Sequence, residues 1–249
     1  MLTGASSGIG YALAKKLAIE ECNIALLARR VEILEALSDE LKTFDIDVIA
    51  VKCDVSKREN VEGAFSKVKK HFNKIDIAIL NSGTSYRGAV NFDGDKGEQI
   101  IKVNLLGLIY CIEELLDDFK KNKEGMIVGV SSLADSRGYP LSSYYSASKA
   151  GVSHYLESLR VELKPFNLKV ITVKPGFVKT PMTDKNEFYM PFLMDVEEAA
   201  DIIVNGIRKE KTIIQFPLPI VLGSKFLKIL PNKLYDFLMS RRLPSKKSY

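Results

Sequence analysis

What most constrains the fold of this chain is the alternation of two hydrophobic periods. Short, β-rich apolar runs recur at 23–28, 47–52, 75–81, 125–131, 169–174 and 212–216, each suited to a strand buried on both faces. Between them, 11–20, 31–44, 57–72, 97–121 and 143–164 place apolar residues at helical spacing, as Val152, Tyr155, Leu156, Leu159 and Leu163 do. A further helix is expected from Asp195, where Asp195 and Glu198 have the spacing of a capping box. This regularity predicts an α/β fold with a doubly wound parallel sheet and right-handed crossovers. With no repeat, low-complexity run or linker, the chain reads as one domain over 1–216 followed by a C-terminal extension over 217–249. In such sheets ligands bind beyond the carboxyl ends of the strands, where strand order reverses.

Glycines stand at 4, 8 and 10 in Thr3-Gly4-Ala5-Ser6-Ser7-Gly8-Ile9-Gly10, just before a helical pattern. Glycine at these positions permits a tight turn and lets the backbone approach a pyrophosphate seated on the helix N-terminus. Only Met1 and Leu2 precede the turn, so the normally central first strand is expected to be nearly missing, with the chain start trimmed or misassigned. The next run ends in Arg29-Arg30, about 20 residues past the turn, where an acidic residue grips the ribose 2′-hydroxyl in NAD enzymes. Two guanidinium forks there suit a 2′-phosphate instead, which favours NADP(H). The alternative is a pair of solvated arginines opening the helix at Val31.

Tyr145 and Lys149, four apart at the start of a periodic helix, share one face. Tyr11 and Lys15 match the same pattern, so context decides: Ser131-Ser132 ends a strand 13 residues before Tyr145. Here the chain resembles the short-chain dehydrogenase/reductase family in its NADP-preferring form. The resemblance extends to about Phe216 and rests on ordered motifs: Thr3 to Gly10, Asp54-Val55, Asn81-Ser82-Gly83, Asn104, Ser132, Tyr145 with Lys149, and Pro175-Gly176 with Val178 and Thr180. It implies a Rossmann-like domain and a small-molecule carbonyl or alcohol substrate.

By the same resemblance Gly4, Ser6, Ser7, Gly8, Ile9 and Gly10 hold the pyrophosphate side of the cofactor, and Asp54 and Val55 hold the adenine. Asn81, Ser82 and Gly83 line the cleft, while Pro175, Gly176, Val178 and Thr180 contact the nicotinamide. Asp54 is otherwise a turn residue, Ser82 a strand end and Thr180 a helix cap. A free tyrosine ionises near ~10, and an ammonium at Lys149 is expected to lower Tyr145, making it the general acid of reduction and the base of oxidation. Ser132 would donate to the carbonyl oxygen as charge develops. Asn104 would hold a water linking Lys149 to solvent, or else sits at a helix kink. Two departures stand out: Leu80-Asn81-Ser82-Gly83 where the family often has Asn-Asn-Ala-Gly, and Asp135 where glycine often follows Ser-Ser-x-Ala. Asp135 either alters which carbonyl is accepted or is a solvated loop charge.

Net charge is +5, and the excess sits in the tail. From Lys225 onward there are seven basic residues (Lys225, Lys228, Lys233, Arg241, Arg242, Lys246, Lys247) against Asp236 alone, leaving the rest about neutral. No nucleic-acid partner is expected from so confined an excess. Phe226, Leu227, Leu230, Leu234, Phe237 and Leu238 recur at helical spacing among these charges, a basic amphipathic helix suited to a membrane surface or a subunit contact. The charge-free residues 212–224 include two prolines and are too short to span a bilayer. Cys22, Cys53 and Cys111 read as small buried hydrophobes, and two histidines offer no metal site. No signal-like start is evident, so a cytoplasmic setting is the default. The loop 181–194, by resemblance a substrate cover, has aromatics and methionines that suggest an apolar substrate. The expectation is an NADP(H)-dependent reductase or dehydrogenase acting on an apolar ketone or aldehyde, as a homodimer or homotetramer. Its rival is a non-catalytic NADP(H)-binding regulatory or membrane-surface scaffold protein.

Overall fold

Seven parallel strands form one sheet in the order β3-β2-β1-β4-β5-β6-β7. The structure, a computed structural model, describes residues 1–86 and 93–241. Along the chain come β1 (Leu2–Thr3), α1 (Gly8–Ile19), β2 (Ile24–Ala28), α2 (Val31–Leu41), β3 (Val48–Lys52), α3 (Arg58–Phe72), β4 (Ile77–Leu80) and α4 (Gly94–Ile101). They are followed by α5 (Gly107–Asn122), β5 (Met126–Val130), α6 (Ser143–Glu162), β6 (Lys169–Pro175), α7 (Val196–Arg208), β7 (Ile213–Phe216), α8 (Leu218–Ile229) and α9 (Asn232–Ser240). Strand order reverses between β1 and β4, which places the crevice at the end of β1.

The central strand is two residues long, as expected. Leu2 and Thr3 pair with Leu26 and Leu27 on one side and with Ile79 and Leu80 on the other, so a short segment laddered on both edges suffices. Period two then sorts the side chains. Leu26, Ile79, Val128 and Ile171 pack under α1, α2 and α7, and Leu27, Leu80, Ile127 and Val170 pack under α3, α5 and α6. The outermost strands depart from burial on both faces: Ile213 of β7 is 39 % exposed and Lys52 of β3 points to solvent, because an edge has no second neighbour.

Three further expectations are corrected. The helical run 97–121 is interrupted by a π-type turn at Lys102–Leu106, between α4 and α5, and such turns concentrate at functional sites. Asp195 caps α7 without any side-chain bond, so the capping box is not formed; the Asp195 carbonyl accepts from Ala199 N–H at 3.1 Å instead. Among the described residues after Phe216 there are two helices rather than one, since Pro231 supplies no N–H and ends the first. Val221, Ser224, Tyr235 and Met239 are buried against the body. The Tyr235 hydroxyl donates to Gly138 O at 2.6 Å, and the Arg137 guanidinium donates to Leu230 O at 3.2 Å. Arg242, Lys246 and Lys247 lie outside the described residues.

Candidate active site

The crevice at the end of β1 is a cleft of ≈ 290 Å³. On its glycine side, Gly4 and Gly8 have φ of +68° and +55°, the left-handed region that favours glycine. A Cβ on Gly8 would lie 3.1 Å from Thr180 Cγ2 across the cleft, so its absence keeps that passage open. Ser7 precedes α1 without capping it. Its hydroxyl accepts from Arg30 Nη2 at 2.9 Å, and the same guanidinium donates to Ser6 Oγ at 3.0 Å and Ser6 O at 3.3 Å. The α1 N-terminus, with no side-chain cap from Ser7, thus has the Arg30 charge held beside it. Arg29 lines the cleft next to it.

Asn81 fastens the turn to β4: its Nδ2 donates to Thr3 O at 3.2 Å and to Gly4 O at 3.3 Å. Gly10 stands behind the cleft. A Cβ there would meet Gly4 O at 2.2 Å, a clash of backbone against backbone that no rotamer relieves. Gly10→Ala is accordingly expected to destabilise the fold by more than 2 kcal/mol, about the level of a named severe mechanism, read as a lower denaturant midpoint together with lost dinucleotide binding. Asp54 and Val55 line the crevice; Asp54 Oδ1 accepts from Ser56 N–H at 3.1 Å and Ser56 Oγ at 2.7 Å, so Asp54 also builds its own turn. Cys53 lines the cleft with a thiol that burial pushes up to about 12, and it is no nucleophile at neutral pH. Cys22 is only half-buried.

At the other end, Ser132, Tyr145 and Lys149 face the same space, together with Pro175, Gly176, Val178 and Thr180. Ser132 opens a short 3₁₀ turn; its hydroxyl accepts from Ala134 N–H at 3.1 Å and donates to Pro175 O at 3.4 Å. Lys149 is buried, donates to Val130 O at 2.8 Å, and stands 5.8 Å from the Tyr145 ring centroid. The expected lowering of Tyr145 is not found in the protein itself. Burial raises its phenol above the usual value, the Ser132 hydroxyl pulls it back only in part, and Lys149 is turned to a carbonyl. By contrast Tyr11 and Lys15 lie at the surface and both engage the Glu40 carboxylate, at 3.3 Å and 2.8 Å.

Burial lowers Lys149 from 10.5 to about 8. An unfolded lysine keeps its proton to higher pH, so between those values the unfolded chain binds more protons and stability rises with pH. The penalty, about 3 kcal/mol, is fully present below pH 8. Lys149→Met is therefore expected to melt above the parent at pH 7. By pH 9.5 the gap should narrow by about 2 kcal/mol, or roughly 4–8 °C, and a gap independent of pH would contradict this.

Asn104 lies in the π-type turn, fully buried. Its Oδ1 accepts from Thr84 N–H at 2.7 Å, and its Nδ2 donates to Thr84 O at 2.9 Å and to Ser148 Oγ at 2.9 Å. Its side chain thus clamps the strand-end loop to α6 behind Lys149, and it does not line the cleft. Periodicity missed Thr84, Gln99, Val103 and Ser131, which also line it. Of the loop over 181–194, only Pro181, Met182 and Thr183 reach the cleft, while Tyr189 is 87 % exposed and Phe192 and Leu193 also face solvent. Asp135 is not a solvated charge: its side chain is 8 % exposed and pairs with Lys174 at 2.6 Å.

The short chain dehydrogenase family model matches residues 1–188, about three quarters of the chain. The chain belongs to the short-chain dehydrogenase/reductase family. It is 34% identical over 237 residues to an oxidoreductase of Myxococcus xanthus, covering 95% of this chain and 94% of that one. It is 36% identical over 190 residues to the farnesol dehydrogenase of Aedes aegypti, covering 72% and 77%. A short-chain dehydrogenase from Sphingobium yanoikuyae in complex with NADPH superposes with a TM-score of 0.82 at 25% identity, covering 100% of this chain and 98% of that one. The protein is thus a short-chain oxidoreductase of the kind that binds nicotinamide dinucleotides, and its Rossmann-like sheet is that of the family.

Proposed function

We propose that this oxidoreductase is an NADP(H)-dependent reductase or dehydrogenase of apolar aldehydes and ketones. The observation behind the NADP(H) preference is the Arg30 fork tied to Ser6 and Ser7 beside Arg29, with no carboxylate at the end of β2 to receive a ribose 2′-hydroxyl. Gly4, Ser6, Ser7, Gly8, Ile9 and Gly10 would form the pyrophosphate turn, Asp54 and Val55 the adenine site, and Asn81 to Gly83 with Pro175 to Thr180 the walls toward the nicotinamide. When bound, the cofactor supplies or accepts the hydride. Tyr145 Oη gives its proton to the carbonyl oxygen on reduction and takes it back on oxidation, and Ser132 Oγ donates to the same oxygen as charge develops. The Lys149 ammonium would hold the nicotinamide ribose and bring positive charge toward the phenol, while Asn104 positions the helix that bears both. Burial alone raises Tyr145 and Lys149 is turned to Val130 O, so the Lys149 ammonium would have to turn toward the phenol for it to exchange protons at neutral pH. The apolar substrate class is supported by the relation to a farnesol dehydrogenase and by Met182 at the cleft. Oxidation of NADPH and NADH across a panel of short and long aldehydes and ketones tests the reading; faster turnover with NADH, or with polar carbonyls, contradicts it.

A second reading concerns the tail. Leu218, Leu222, Phe226 and Ile229 of α8 and Leu234, Phe237 and Leu238 of α9 are exposed among Lys225, Lys228 and Lys233, and no helix among the described residues is long and apolar enough to cross a membrane. Such a face lies on an anionic bilayer surface on the cytoplasmic side. Co-sedimentation with phosphatidylserine vesicles at low salt, lost at high salt, is the expected result. Assembly as a homodimer or homotetramer would use the outer faces of α5 and α6, which sedimentation equilibrium measures.

A further inference from the structure

Behind the Ser132 turn lies a chain of polar contacts that the proposed chemistry does not use. The Asp135 side chain, 8 % exposed, receives the Lys174 ammonium of β6 at 2.6 Å and stands 2.5 Å from Ser153 Oγ of α6. Ser153 Oγ lies 2.8 Å from Ser131 Oγ, and Ser131 Oγ donates to Lys149 O at 2.8 Å. Two hydroxyl protons serve these three oxygen–oxygen contacts. The ionised carboxylate, as the charged acceptor, takes the Ser153 proton, leaving that of Ser131 for Lys149 O. Asp135 is also the last residue of the turn that Ser132 opens, with Asp135 N–H donating to Ser132 O at 3.1 Å. One ion pair therefore joins three elements: the turn bearing Ser132, the helix bearing Tyr145 and Lys149, and the strand that ends in Pro175.

We propose that the Asp135–Lys174 pair is a positioning device that keeps the Ser132 hydroxyl in register with Tyr145 and Lys149. The proposal rests on the oxidoreductase reading, in which Ser132 and Tyr145 serve one oxygen. A buried ion pair costs most when one partner is removed, because the other is left charged without compensation. Lys174 is 22 % exposed and can turn toward water, whereas Asp135 cannot. Lys174→Met is therefore the more harmful single change and Asp135→Asn the milder. Adding Asp135→Asn to Lys174→Met removes the stranded charge and restores the turn in part.

The test measures NADPH oxidation with decanal for the parent, the two single variants, the double variant and Lys174→Arg. Expected is a fall in kcat of about tenfold to a hundredfold for Lys174→Met, the cost of a misplacement near 1 Å, with both KM values within about threefold of the parent. The double variant should recover at least about fivefold over Lys174→Met, the coupling expected of contacting residues, and Lys174→Arg should keep most of the rate. An unchanged kcat in folded Lys174→Met, or a double variant that loses the product of the two single losses, overturns the proposal. Should Lys174→Met fail to fold, Asp135→Asn and Lys174→Arg decide it by the same kcat-against-KM split. If the parent itself reduces no carbonyl, the reductase reading is what fails. Amide hydrogen exchange then decides the clamp: peptides over 131–136 and 149–153 should lose protection together in Asp135→Asn, and independent loss overturns it.

Discussion

Tyr145→Phe is expected to lower kcat/KM for carbonyl reduction about a thousandfold, within the range attributed to a positioned general acid, while NADPH binds within about threefold of the parent affinity. The phenyl ring keeps the volume and the half-buried seat at the start of α6 and removes only the proton donor. What is lost is the group that meets the oxygen as hydride arrives, so the fall belongs in kcat. A binding or scaffold protein on the same fold would show the dinucleotide affinity without the rate difference. A loss confined to KM would mean that Tyr145 only seats the substrate.

Replacing both Arg29 and Arg30 by alanine is expected to raise KM for NADPH about a hundredfold, since each charge-assisted hydrogen bond to a phosphate contributes about 1.5–3 kcal/mol. NADH kinetics should move far less, because no 2′-phosphate is present to lose its partners. The Arg30 bonds to Ser6 and Ser7 couple this pocket to the glycine turn, so a small loss with NADH is part of the expectation. Equal losses with the two cofactors would mean that the arginines brace the turn and do not read the phosphate.

The strands, most helices and many of the residues lining the cleft could be read from the chain because each leaves a local trace. Period two marks strands buried on both faces, and glycines mark the turn at β1. Ser132, Tyr145 and Lys149 stand at a strand end and a helix start that periodicity locates. What escaped depends on partners distant in sequence. The π-type turn at Asn104 keeps the apolar pattern of 97–121 continuous, and only its contacts with Thr84 and Ser148 distinguish it. Arg30 meets Ser7 of the glycine turn across 23 residues, and Asp135 becomes buried because Lys174, from a later strand, reaches it. Tyr145 illustrates the same limit in its electrostatics. Its neighbour Lys149 is evident from spacing, but burial of the phenol, which outweighs the Ser132 hydroxyl, appears only when the elements pack. In the tail, apolar spacing outweighed Pro231, although a proline without a donor was the signal for two helices.

Hydride transfer assisted by Tyr145 leaves an isotopic mark on the product. The most direct measurement uses NADPH deuterated at both C4 positions with the panel of apolar aldehydes and ketones, and mass spectrometry of the alcohols formed. Expected is one deuterium on the former carbonyl carbon with the parent protein and a yield about a thousandfold lower with Tyr145→Phe in the same time. Tight NADPH binding with no deuterium in any alcohol, or equal yields from the two proteins, would contradict it.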